Sequence, residues 1–106
     1  MTDACTIERG ENGGARIRGE LTFESVPGLY ERAEPFFADG VMFVDLSGVT
    51  TVDSAGLALL LEWQASNRQS QGPLEFKNAP SSLLSLASLS EATALLNING
   101  RDLTDG

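Results

Sequence analysis

Apolar residues recur along this chain with two periods, and the switches between them mark out its elements. Thr6 to Glu8 reads as a short opening strand, ended by the run Gly10-Glu11-Asn12-Gly13-Gly14. Asn12-Gly13 is a hairpin signal, because both residue types tolerate positive φ. Ala15 to Arg18 then alternates, with Ile17 inward and Arg16 and Arg18 outward, the period of a half-buried strand. The two strands are expected to pair.

A helical period follows. Val26, Leu29, Tyr30, Ala33 and Phe37 fall on one packed face, with Thr22 or Ser25 as cap and Pro27 in the first turn. Pro35 is expected to end the regular helix or kink it before Asp39-Gly40. Phe36 and Phe37 read as core or as closure of the helix end. Val41 to Leu46 is nearly continuous in apolar residues, which predicts a central strand covered on both faces. Ser47 to Val52 is expected to link that strand to a second helix, capped by Asp53 or Ser54. Leu57, Leu60, Leu61 and Gln64 line one side of this helix, and Gly72-Pro73 stops it. Leu74 to Lys77 forms a further strand with Leu74 and Phe76 inward. Pro80 opens a weaker helix, Ser81 to Ser90. Ala92 to Ile98 is either a last short strand or a loose helix, and residues from Gly100 onward read as frayed.

Strands joined through helices must be largely parallel neighbours. The fold class is therefore α/β, a mixed and mostly parallel sheet of four to five strands with helices packed against it. No repeat or linker divides the 106 residues. One domain is expected over 1–106, with an ordered core over about 5–98.

Charge and cysteine content narrow the function. Seven basic residues stand against 15 acidic ones, a formal net charge of -8. A field of that sign repels phosphate backbones and anionic lipid and attracts basic protein surfaces. No direct nucleic-acid partner and no direct membrane insertion are expected. The longest nearly apolar run, Ala55 to Leu61, is too short to span a bilayer, and the N-terminus does not read as a signal peptide. The single cysteine, Cys5, allows no internal disulfide and reads as a small buried hydrophobe. The chain has no histidine, which removes Ser-His-Asp and Cys-His catalysis and histidine-bearing zinc sites. No phosphate-binding loop or dinucleotide fingerprint is present. No cofactor, metal or enzymatic activity is expected.

The most informative stretch runs from Val44 to Leu57. Asp53 and Ser54 lie at a helix start, where backbone N–H groups lack partners and phosphate is favoured. Ala55 and Gly56 keep the turn low, so another protein can approach. A plain helix cap is the simpler account of the same residues. Two aromatics bear on this surface. Trp63, two residues after Leu61, is either an interface anchor or an aromatic partly buried against the sheet edge. Phe23, in the loop before the first helix, offers the same two readings.

These residues resemble the central motif of STAS domains, found in bacterial anti-sigma factor antagonists and in the cytoplasmic tails of sulfate transporters. The family pattern is a strand ending in Asp-Leu-Ser/Thr, a short link, then Asp-Ser/Thr-Ser/Gly/Ala-Gly-Leu opening a helix. This chain has Asp45-Leu46-Ser47 and then Asp53-Ser54-Ala55-Gly56-Leu57, with an upstream Gly19-Glu20-Leu21 that also matches. The resemblance extends over about residues 5 to 98. Gly56 to Leu61 and the small stand-alone format are similar to the STAS subunits of bacterial phospholipid-transporting ABC complexes.

That likeness implies a non-catalytic subunit binding the cytoplasmic ATPase of an inner-membrane permease complex that maintains outer-membrane lipid asymmetry. The protein would be cytoplasmic and held at the membrane through its partner. The other implied partner is a kinase-like anti-sigma factor, with Ser54 as the phosphorylated switch. Antagonists place Asp soon after Gly-Glu-Leu, where this chain has Thr22-Phe23-Glu24. By motif, Ser54 is the partner-contacting hydroxyl, framed by Asp53, Ala55, Gly56 and Leu57, with Thr51, Phe23 and Trp63 as further candidates.

Overall fold

β1 (Cys5–Arg9) and β2 (Ala15–Leu21) form the expected antiparallel hairpin, in register from Cys5 opposite Gly19 to Arg9 opposite Ala15. The computed structural model describes residues 4–10 and 13–96. Asn12, residues 97–98 and the stretch from Gly100 onward, each assigned a role from sequence, lie outside the described residues. In the turn, Gly13 takes φ +80°, and the Gly10 N–H donates to the Gly14 carbonyl at 2.9 Å.

α1 (Val26–Ala38) follows, then β3 (Phe43–Val52), α2 (Ser54–Ser70), β4 (Glu75–Lys77), α3 (Ser81–Leu89) and the short α4 (Thr93–Leu96). The sheet order is β1-β2-β3-β4, with β2/β3 and β3/β4 parallel. The fold is the mixed α/β sheet expected from the order of elements. The last apolar stretch resolves as helix over Thr93–Leu96.

Three local expectations are corrected. Ser47 to Val52 is not a link but the second half of β3, which pairs with β2 as far as Leu21 opposite Val52. It keeps that pairing by taking up an extra residue twice, once between Asp45 and Gly48 and once between Val49 and Thr51. Each bulge shifts the alternation by one, so the inward residues are Val44, Leu46 and then Val49. A strict period of two breaks there, which hides the strand. The second correction concerns Pro35. α1 runs through it to Ala38; Pro35 costs the helix one hydrogen bond, but it sits on the exposed side near the helix end, where water can serve the carbonyl left unpaired. The third is that β3 is covered on one face only. Its inward residues are buried, while Phe43 and Asp45 are half-buried and Ser47 is exposed.

The uncovered face of the sheet is polar. Arg18 pairs with Glu8 at 3.1 Å, Arg16 approaches Asp45 at 3.4 Å, and the Lys77 ammonium lies 4.1 Å from the centre of the Phe43 ring. On the other face Ile17, Leu46, Leu60, Phe76 and Leu83 are fully buried in one core. Each such side chain contributes about 1.5–3 kcal/mol through removal from water. Cys5 belongs to that core, and burial pushes its thiol up to about 11.

α2 is the central helix. α1 packs along one flank, and α3 and α4 pack along the other. Its buried arc is therefore wider than one leucine face, and takes in Leu59, Trp63 and Asn67 beside Leu57, Leu60 and Gln64. Gln64 is not a packing group alone. Its amide oxygen accepts the Leu74 N–H at 2.7 Å, and its nitrogen donates to the Leu74 and Leu96 carbonyls at 2.6 and 3.1 Å.

Candidate docking surface

Because Leu21 pairs with Val52, the chain leaves β2 and β3 side by side. The loop Thr22–Ser25 after β2 and Asp53 at the start of α2 therefore meet at one end of the sheet. The Asp53 N–H donates to the Leu21 carbonyl at 3.2 Å. Its two carboxylate oxygens divide their work. Oδ1 accepts the Gly56 N–H at 3.0 Å and caps α2, while Oδ2 accepts the Phe23 N–H at 2.9 Å. Of the two possible caps, Asp53 is the one used, and Ser54 becomes the first helical residue.

The hydrogen bond from the Phe23 N–H is the main reason the Asp53 carboxyl lies below its ordinary range. Slight desolvation opposes it, and the Gly56 and Ala55 N–H groups reinforce it. A carboxylate receiving several backbone N–H bonds favours its charged form. At the far end of the same motif Asp45 is also lowered. Desolvation pulls it upward, but hydrogen bonds from Asn78 and Ser47 and the nearby Arg16 outweigh that.

The loop is closed by Ser25, which the sequence marks only as a possible cap. It stands at the N-cap of α1 without capping it. Its buried hydroxyl instead donates to the Glu20 carbonyl at 2.6 Å and accepts the Thr22 N–H at 3.0 Å. The Thr22-x-x-Ser25 spacing is the one signal in the sequence for this loop, since Ser hydroxyls bond backbone groups nearby and compete with capping. With both loop ends fixed, Phe23 points away from the protein and is 77% exposed.

Gly56 and Leu57 sit beneath this surface. Both are buried, and a Cβ on Gly56 would overlap the Leu21 carbonyl oxygen. Only a glycine lets α2 start this close to the end of β2. The exposed members of the motif are Ser54, Thr51 and Phe23, with Ala55 and Asp53 half-buried. Trp63 stands apart. It is 6% exposed and packs on Phe37 with ring centroids 5.1 Å apart. It lies nine residues beyond Ser54, about 14 Å along the helix at 1.5 Å per residue. It is buried against Phe37 of α1 and not against the sheet edge.

One carboxylate thus ties a turn that presents an aromatic and two hydroxyls to solvent. Among the described residues no group of three or more His, Cys, Asp or Glu side chains could hold a metal. Likewise no helix among them is long and apolar enough to cross a membrane.

A family model described as "Mlab, STAS domain" matches residues 7–97, and the chain belongs to this family of STAS domains. The comparison with curated proteins finds no match.

Proposed function

We propose that this protein is the cytoplasmic STAS subunit of a phospholipid-transporting ABC complex, where it docks on the ATPase and supports its assembly and activity. It would reach the inner membrane only through that partner, and would act in keeping outer-membrane lipid asymmetry. The observation that carries this reading is Phe23, an aromatic side chain held out in solvent by a backbone hydrogen bond to Asp53, directly beside exposed Ser54. Aromatic anchors of this kind dominate protein interfaces. Membership of the MlaB-type STAS family supports the choice of partner. In this reading Phe23, Thr51 and Ser54 touch the ATPase. Asp53, Ala55, Gly56 and Leu57 hold the turn, and Trp63 stiffens α2 from behind.

A second reading has one observation in its favour. Ser54 is exposed in the first turn of α2, where a phosphate would be favoured by the helix end, as an anti-sigma factor antagonist requires. Affinity purification from the native cell in mild detergent, followed by mass spectrometry, separates the two. Co-recovery of an ABC ATPase with a permease is expected, and Phe23→Ala should reduce it without changing the thermal midpoint. Recovery of a kinase-like anti-sigma factor in place of the ATPase overturns the transporter reading.

A further inference from the structure

A groove of about 330 Å³ lies between α1 and α2, toward the opposite end of α2 from Ser54. Phe37 and Trp63 form its floor, half-exposed Tyr30 one wall, and Glu34 and Glu62 stand on its two sides. The lining contains no Lys or Arg. It follows α1 from Tyr30 to Ala38 and α2 from Glu62 to Ser70, with Gln71 just beyond, about 12 Å of each helix at 1.5 Å per residue.

We propose that this groove is a second docking surface, and that its occupant is a basic amphipathic segment of a partner protein, with arginine or lysine side chains reaching Glu34 and Glu62 and apolar side chains on the Phe37–Trp63 floor. Charge decides the occupant. The groove carries two carboxylates and no cation, on a protein of net charge -8. Such a field draws in cationic chain and repels a second copy of this protein. Arginine fits both halves of the site, since its guanidinium pairs with carboxylates and stacks on aromatic faces. Helices laid in grooves of this shape are a recurrent mode of recognition. The surface is separate from the Asp53–Ser54 turn, so its failure would leave the proposed function standing.

Trp63 is the only tryptophan in the chain and lines the groove, so its fluorescence reports binding there. The probe is a blocked helix-forming peptide of about twelve residues with two arginines and two leucines on one face. Its twin carries glutamates in place of the arginines. Titrating the whole protein with the basic peptide should shift Trp63 emission saturably, and the acidic twin should not. Glu34→Gln with Glu62→Gln should weaken binding about tenfold, roughly 1.4 kcal/mol. Glu8→Gln with Glu75→Gln, on the uncovered face of the sheet, removes the same charge and should leave binding unchanged. Absence of any Trp63 response up to about 1 mM peptide, equal binding of the acidic twin, or equal weakening by the two double variants overturns the proposal. So does emission that depends on protein concentration without peptide, which would make the occupant a second copy.

Discussion

The two halves of α2 hold the protein together by different chemistry. At the N-terminal end a charged carboxylate near the surface, Asp53, ties the helix to Gly56 and to the neighbouring loop at Phe23. In the second half two neutral amides do the tying in the interior. Gln64 clamps Leu74 and Leu96, and Asn67 donates to the Gly72 carbonyl at 2.9 Å. The difference follows from position. A charge is expensive to bury, so it serves at the exposed end, while the interior uses groups that never ionise. One end is tied by a charge near the surface, the other by amides in the interior, and the two should respond differently to mutation and to acid.

The sharpest test of the rigid half is Gln64→Leu. It removes three hydrogen bonds from an amide that is almost fully buried while keeping the volume similar. A loss of about 3–4 kcal/mol is expected, read as a lowered urea midpoint with unchanged slope. A loss below about 1 kcal/mol would mean the clamp is dispensable and the contrast between the two halves false. Gly56→Ala comes next, at about 2–3 kcal/mol, because the new methyl must displace the Leu21 carbonyl and overpacking of this order is costly. It also pries the Asp53 turn away from β2, so it should weaken partner capture more than an equally destabilising core variant does.

Local chemistry explains why some of these features are legible in the sequence. The hairpin, the order of strands and helices, and the Asp53–Leu57 turn follow from turn residues, periodicity and a capping carboxylate. The second half of β3 does not, because two bulges break its alternation and its polar residues Ser47, Thr50 and Thr51 face out. Gln64 is in plain view on the leucine face of α2, but only the approach of Leu74 and Leu96 reveals its partners. Trp63 is ambiguous for a related reason, since a helix covered on two flanks has no single apolar stripe. The site divides in the same way. The motif identifies the turn, whereas the exposure of Phe23 depends on Ser25 and Asp53 hydrogen bonds that cross between segments.

Asp53 itself should give a smaller effect than Gln64, and one that depends on pH. Asp53→Ala removes the cap and is expected to cost about 1–2 kcal/mol at pH 7. The pH sign follows from linkage. The folded protein holds the Asp53 carboxyl below its ordinary range, so its stabilising contribution is present above the unfolded value near 4 and is lost as pH falls through the folded value. Asp45, lowered as well, acts in the same direction. Urea midpoints for the parent and Asp53→Ala should converge as pH is lowered below about 4. The midpoint difference for Gln64→Leu should stay constant over the same range, since an amide does not titrate. A constant gap for Asp53→Ala would show that the cap works without its charge.

The smallest effect on stability, and the one that bears most on function, is expected at Ser54. The side chain is exposed on the first turn of α2, and a carboxylate there interacts favourably with the helix N-terminus. Repulsion from Asp53, whose charge is already shared between two backbone N–H groups, opposes that gain. Ser54→Asp should therefore leave the urea midpoint within about 0.5 kcal/mol of the parent. Binding is another matter, because an interface closing over Ser54 would have to desolvate a new charge beside Phe23. Capture of the ATPase should fall by at least about tenfold, or 1.4 kcal/mol, with Ser54→Ala close to the parent. The pair of variants separates contact from switching. If Ser54→Ala binds normally and Ser54→Asp does not, the turn tolerates loss of the hydroxyl but not added charge, and phosphorylation would be a sufficient off-switch. If both bind normally, the partner does not cover this turn, and the surface that docks on the ATPase lies elsewhere.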